Sequence, residues 1–359
     1  MSVIDMSEQQ RSEIVGAGRV RAQVSHEPAG EPIGKTGDCR PVTFSAILPT
    51  YNSSKFVSRA IDSVLSQDRV LLTELIVVDD CSGDGTLDFI KSRYQGESRV
   101  KFHSTERNGG PGAARNLGIA AASGSWIALI DADDAWTTGR LNRLAPECRA
   151  DIDLVFDNVI GYDHGAAVTI GTLFPALPKR LTIAALMAGP QPGSTFDFGY
   201  LKPLMRRCFL MTTGVAYEPL RVNEDLLFYL ELLANGAMTR GVDAGGYIYT
   251  TPVGLVSLRR SEMSATFPDN MLVASHLDAV TSKYKDRLNT SDLRAIGERA
   301  IRMRTSASIS RVHALWMRRR YLTVIREALS QREVRTHLLR KLGRRILRQA
   351  GFPTGGKGS

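Results

Sequence analysis

Ser125–Trp136 reads SWIALIDADDAW. Trp126 to Ile130 run without a polar break and then give way at once to Asp131-Ala132-Asp133-Asp134. A short apolar run ended by acids is the pattern of a strand buried on both faces, with its carboxyl end reaching solvent. The pattern recurs upstream. VTFSAIL (Val42–Leu48) stops at Pro49-Thr50-Tyr51-Asn52, LIVV (Leu75–Val78) stops at Asp79-Asp80-Cys81-Ser82-Gly83, and Val100–His103 makes a further strand. Between these runs the spacing predicts helices over Lys55–Gln67, with Phe56, Ala60, Ile61, Val64 and Leu65 on one face, and over Thr86–Tyr94. A third helix, Ala113–Ala122, is opened by Asn108-Gly109-Gly110-Pro111-Gly112. Strands and helices alternating at this spacing give an α/β fold with a mostly parallel, doubly wound sheet. Ligands of such sheets bind beyond the carboxyl ends of the strands, so Pro49–Asn52, Asp79-Asp80 and Asp131–Asp134 are expected at one edge.

Away from this block the signal is thinner. Residues 1–40 are rich in Gly, Pro, Ser and charge and read as a flexible tail. Leu154–Phe156 reads as a strand, Tyr162–Pro192 as a connection with some helix, and Glu224–Ala234 as an amphipathic helix. Beyond about residue 266 the chain reads as helical and basic. The expected organisation is therefore a tail (1–40), a catalytic α/β domain (41–265) and a helical, basic C-terminal region (266–359). With 359 residues, 43% hydrophobic and 23% charged, there is ample material for a core. The four cysteines show no C-x-x-C spacing, which argues against a disulfide framework or a structural zinc site. No apolar run approaches the roughly 20 residues needed to span a bilayer, and the N-terminus lacks a signal-like apolar stretch. A cytoplasmic location is expected.

Asp131-Ala132-Asp133 aims two carboxylates at one spot, which suits Mg²⁺ or Mn²⁺ on phosphates; a solvated turn is the plain alternative. Asp79-Asp80 exceed what capping the next helix requires, although Asp84-Gly85-Thr86 serves as that cap. The glycine loop is neither a P-loop nor G-x-G-x-x-G, and reads either as a turn or as a close approach to phosphate. Arg115, one turn into the following helix, could reach a phosphate or a carboxylate. Glu224-Asp225 read either as acids favoured in a first helical turn or as a source of a general base.

In order, FSAILPTYNSSKFVSRAIDSVLSQ, ELIVVDDCSGDGTLDFI, NGGPGAARNLGIAAASGSWIALIDADDAW and NEDLLFYLELLANGA resemble the family 2 inverting glycosyltransferases of the GT-A fold, over roughly residues 42–260. LKPLMRRCFL (Leu201–Leu210) is similar to bacterial exopolysaccharide glucosyltransferases of the succinoglycan type. The resemblance implies that Pro49, Tyr51 and Asp80 hold the uracil of a UDP-sugar and that Asp79 shapes that pocket, with Thr50 and Ala132 belonging to the same nucleotide-sugar-binding motifs. It implies that Asp131 lies near ribose and donor sugar, that Asp133, with Asp131 beside it, binds Mn²⁺ or Mg²⁺, and that Asp225, in its pair with Glu224, is the base. The implied reaction moves one sugar, glucose from UDP-glucose, with inversion onto a lipid-linked glycan acceptor in exopolysaccharide assembly. Another cell-surface glycan is the alternative acceptor. The Q-x-x-R-W motif of processive synthases is absent.

The net charge of +9 is concentrated late in the chain. Within Gln331–Ala350 seven basic residues face one acid, Glu333, and Val334, Leu338, Leu342 and Ile346 recur every four residues. Such a helix either lies on an anionic membrane, here the inner face of the plasma membrane, or packs on the domain. Arg318-Arg319-Arg320-Tyr321 raises nucleic-acid binding as a rival, but no nucleic-acid-binding motif accompanies it.

Overall fold

The computed structural model describes residues 41–190, 192–220, 222–251, 266–330 and 335. The expected tail 1–40 lies outside the described residues, and so does the basic helix 331–350 except for Arg335.

Three strands anticipated from sequence form the parallel heart of the sheet: β1 (Phe44–Thr50), β2 (Leu72–Asp79) and β3 (Val100–Ser104), joined on the other side of β1 by β4 (Trp126–Leu129). The helices between them are α1 (Val57–Leu65), α2 (Thr86–Tyr94) and α3 (Pro111–Ala121). β1 runs two residues further than its apolar stretch suggested, through Pro49. Ile47 O accepts from Ile130 N and Thr50 O from Asp80 N, so the alternation puts the missing N–H of Pro49 on the β4 side, where pairing has ended. The small residues of α3 also have a cause. A Cβ on Gly118 would sit 2.5 Å from Ile47 Cγ2, so this helix lies closer to β1 than side chains normally permit.

The rest of the sheet departs from a simple alternation. After the short β5 (Ala135–Trp136) and α4 (Arg140–Leu144), β6 (Leu154–Asp163) pairs antiparallel with β7 (Val168–Thr172), where a connection was expected. A short helix α5 (Ile183–Met187) precedes β8 (Leu204–Arg206), which lies antiparallel between β4 and β6 and leads into α6 (Arg207–Thr213). Helix α7 (Glu224–Ala234) is followed by β9 (Thr239–Thr251), parallel to β6 and antiparallel to β5. The order across the nine described strands is β3-β2-β1-β4-β8-β6-β9-β5, with β7 beside β6. α7 is not amphipathic as expected, because Leu226, Leu227, Phe228, Tyr229, Leu230 and Leu232 are all buried. What covers its outer side is C-terminal: α8 (Thr266–Tyr284) places Tyr284 and Lys283 on Glu231 at 2.9 and 2.7 Å. The long α9 (Thr290–Met317) and then α10 (Tyr321–Ser330) follow, giving the helical region expected from sequence. Among the described residues no helix is long and apolar enough to cross a membrane.

Candidate active site

The loops after β1 and β2 are knitted into one surface. Asn52 N–H donates to Ser82 Oγ and Gly83 N–H to Asn52 Oδ1, both at 2.9 Å. Asn52 and Cys81 both take left-handed backbone (φ 48° and 59°), so the two turns are tight and mutually braced. Pro49 and Thr50 are buried in β1, and Tyr51 just beyond is 43% exposed, so of these three the Tyr51 ring offers a face. Asp80 holds the glycine loop: Oδ1 accepts from Gly109 N (3.0 Å) and Thr105 Oγ1 (2.7 Å), and Oδ2 from Gly110 N (2.8 Å). One lone pair of Oδ2 is left for a further donor. Asp79 Oδ2 accepts from Ser82 N at 2.9 Å, while its buried Oδ1 has no partner. The glycine loop is required by geometry, since Gly110 adopts φ +83° and a Cβ on Gly112 would meet Glu218 O at 3.0 Å.

Helix α3 carries Arg115 from this loop into a buried ion cluster. Its Nη1 donates to Glu224 Oε1 (2.9 Å) and lies 3.3 Å from Asp225 Oδ1, and its Nη2 donates to Asp131 Oδ1 (2.7 Å). Lys202 completes the cluster, with Nζ 2.9 Å from Asp131 Oδ2 and 2.5 Å from Asp225 Oδ2. Of the two roles open to Arg115, the structure therefore shows the carboxylate one, and Glu224-Asp225 are turned inward rather than left as solvated first-turn acids. Burial opposes the charge on Asp131, but Lys202 and Arg115 overcome it and hold the carboxyl below its ordinary range. Glu224 is pushed up, first by burial and then by the charge of Asp225. Asp225 Oδ1 and the hydroxyl of Tyr217 are buried and accept or donate no hydrogen bond. Beneath, Arg140 reads Asp157 with two bonds (3.1 and 2.8 Å) and donates to Lys202 O at 2.8 Å. It thereby fixes the backbone that carries the lysine.

The remaining acids of DADD divide the work. Asp134 is a strut, accepting from Tyr247 Oη (2.7 Å) and Thr250 N (2.9 Å), and burial followed by the charges of Asp133 and Asp131 raises its carboxyl well above its usual range. Asp133 is half-buried, with its carbonyl held by Arg59 Nη2 at 2.6 Å. Ala132 is buried between them. Among the described residues no three His, Cys, Asp or Glu gather as a self-sufficient cation site. The donor set nonetheless suits Mg²⁺ or Mn²⁺ bound through one carboxylate plus substrate phosphates. Three acids (Asp131, Glu224, Asp225) outnumber the two cations (Arg115, Lys202) within this cluster. Both oxygens of Asp131 are engaged by cations.

Sequence reasoning missed Lys202, Arg140, Asp157, Tyr217 and Tyr247. For Lys202 a signal existed: a lone cation, flanked by Leu201 and Pro203, entering the apolar stretch before β8.

An α/β sheet with acids and cations collected beyond β1, β2 and β4 is the GT-A fold, and solved GT-A enzymes superpose on it. They include Staphylococcus aureus TarS residues 1–349 with UDP-GlcNAc (TM-score 0.53, 21% identity, 75% of this chain and 81% of that one). The mannosyltransferase PcManGT of Pyrobaculum calidifontis with GDP-Man and Mn²⁺ gives TM-score 0.50 at 18% identity, over 84% and 86%. Residues 45–206 match the family model Glycosyl transferase family 2. Among curated relatives, the succinoglycan biosynthesis protein ExoO of Rhizobium meliloti is 35% identical over 221 residues, 60% of this chain and 62% of ExoO. The chain thus spans about three fifths of the length of the relatives it matches first, at 62% and 61%.

Proposed function

We infer that this protein transfers a sugar from a UDP-sugar, with inversion, onto a hydroxyl of a glycan acceptor in exopolysaccharide assembly. The donor sugar is glucose, as the sequence resemblance implies, a single sugar is added per encounter, and the acceptor is a lipid-linked intermediate met from the cytoplasmic side. The observation that carries this reading is the Arg115–Asp131–Lys202–Asp225–Glu224 cluster, joined through α3 to the glycine loop that Asp80 holds.

The roles are those that the resemblance implies, and the geometry supports them. Tyr51 supplies a stacking face for the uracil, and Asp80 Oδ2 keeps a lone pair for it. Asp133 holds the divalent cation, which when bound stabilises charge on the departing diphosphate. Inversion needs one base on the acceptor side. Asp225 is the base that the resemblance implies, and its setting supports this: Lys202 holds Oδ2 at 2.5 Å and Arg115 lies 3.3 Å from Oδ1, so the two cations orient the carboxylate for taking the hydroxyl proton. Glu224, raised by burial and its neighbour, steadies Arg115 rather than taking the proton.

Membrane contact at the inner face of the plasma membrane, assigned to 331–350 from sequence, gains support from the described residues just before it. Trp316, Met317, Leu322 and Ile325 are exposed beside Arg318, Arg319 and Arg320. The test of the main reading is a panel of nucleotide-sugars with Mn²⁺ or Mg²⁺, run beside Asp225→Asn. The variant is expected to bind UDP as the wild type does and to lose transfer by about 10²–10⁴-fold. Full transfer by the variant removes the base assignment, and no turnover of any nucleotide-sugar by the wild type removes the function.

A further inference from the structure

Three aromatic rings that no role above uses stand beside the acids. Phe196, Tyr200 and Tyr249 meet edge to face, with centroids 5.0 Å (Phe196–Tyr200), 5.7 Å (Phe196–Tyr249) and 5.7 Å (Tyr200–Tyr249) apart. They come from two walls of the site. Tyr200 closes the 3₁₀ turn Phe198–Tyr200, two residues before Lys202. Gly199 in that turn abuts α7 next to Asp225, since a Cβ there would lie 3.3 Å from Leu226 Cβ. Tyr249 stands on β9 between Tyr247 and Thr250, the two residues that brace Asp134. The hydroxyl of Tyr200 is pushed up by burial and then by Asp197, with Glu224 adding to it against Lys202. That of Tyr249 is pushed up by burial and then by Tyr200, Asp134 and Asp133. Yet Tyr200 is 42% exposed. Rings that only fill a core are covered; here two rings hold a third upright with a side open to solvent.

We propose that Phe196, Tyr200 and Tyr249 form a platform for a pyranose ring of the acceptor saccharide, with Tyr200 as its stacking face. This deepens the proposed function and rests on its claim that the acceptor is a glycan. A pyranose offers one flat C–H face and a rim of hydroxyls. The apolar face matches a rigid aromatic surface, and the rim matches polar groups placed around it. The competing occupant, a nucleobase, is accounted for at Tyr51 and Asp80 on the β1 and β2 loops. The trio belongs instead to the segment that leads into Lys202, which abuts α7 beside Asp225, and to β9, which braces Asp134; this is where the attacking hydroxyl has to arrive.

The test uses the full chain with UDP and Mg²⁺, and cellotetraose as the saccharide probe, observed by saturation-transfer NMR with irradiation in the aromatic region. Ring C–H protons of the probe are expected to gain saturation from the wild type. Tyr200→Ala and the apolar but non-aromatic Tyr200→Leu are expected to weaken saccharide binding about five- to ten-fold, the scale of one lost aromatic contact. UDP affinity measured by calorimetry reports that both variants are folded. Equal saturation in the wild type and both variants overturns the platform, as does no saturation in the wild type. Saturation that depends on Tyr200, without turnover of any UDP-sugar, upholds the saccharide contact and sinks the transfer reading instead.

Discussion

Lys202→Met removes the cation that sits between Asp131 and Asp225 and replaces it with an apolar chain of similar length. Lys202 is buried, its carbonyl is pinned by Arg140, and its Nζ lies 2.9 and 2.5 Å from the two carboxylates. Removing one partner of a buried ion pair leaves the other uncompensated and costs about 3–5 kcal/mol. Arg115 still reaches Asp131 at 2.7 Å, so the lower end of that range is expected here. The loss depends on pH with a definite sign. In the wild type, burial lowers the Lys202 pKa, but Asp131 and Asp225 raise it by more, so its contribution is complete at neutral pH and fades only in strong alkali. Asp131 is held below its ordinary 3.8, so its contribution is present above that value and is lost only in stronger acid. In the variant the stranded carboxyls are free to take up protons as pH falls, which relieves the penalty. Urea unfolding at pH 7.5 and pH 4.5 reads both effects. The gap between wild type and variant is expected at about 3 kcal/mol at pH 7.5 and at less than about half of that at pH 4.5. Adding Asp131→Asn to Lys202→Met is expected to recover about 1 kcal/mol or more, because the two sites share one contact. A gap below about 1 kcal/mol at pH 7.5, or one that does not change with pH, refutes the view of Lys202 as a buried counter-charge.

Asp133→Asn is expected to raise the Mn²⁺ concentration for half-maximal turnover at least about ten-fold, measured by metal titration of UDP release, because a hard anionic ligand becomes neutral. Gly118→Ala forces a Cβ to within 2.5 Å of Ile47 Cγ2 and is expected to cost about 1–3 kcal/mol in urea unfolding. Burial opposes the charge on Glu74, but Lys101, Ser45 and Ser123 hold it to a pKa of about 2. Its stabilisation is therefore present above the ordinary 4.5 and lost as pH falls from there to about 2, so acid unfolding of Glu74→Gln is expected to show a shallower pH dependence over that window.

The parallel half of the sheet was legible because its strands are covered on both faces and so read as unbroken apolar runs. Thr86–Tyr94 and Glu224–Ala234 were placed to the residue for a related reason: each opens beside a marked polar signal. β9 was not legible, and the cause is chemical. Gly241, Gly245 and Gly246 interrupt its alternation because the strand passes so close to its neighbours; a Cβ on Gly246 would lie 2.3 Å from Asp157 Oδ2. The support of the site erased the pattern that would have announced the strand. β8 is three residues long, too short for any periodicity to register. Of the acids, the DADD loop and the Glu-Asp pair could be found from their positions after a strand and before a helix. Lys202 and Arg140 could not be assigned, since their roles exist only once partners from elsewhere in the chain arrive.

The ion cluster joins residues that synthesis delivers far apart: Arg115 waits 109 positions for Glu224, and outside the cluster Arg59 waits 191 for Thr250. A chain still emerging from the ribosome can complete β1 to β4, yet Arg115 and Asp131 meet Lys202 and the Glu224-Asp225 pair only after β8 and α7 have followed, so the buried cluster closes late in the making of the fold.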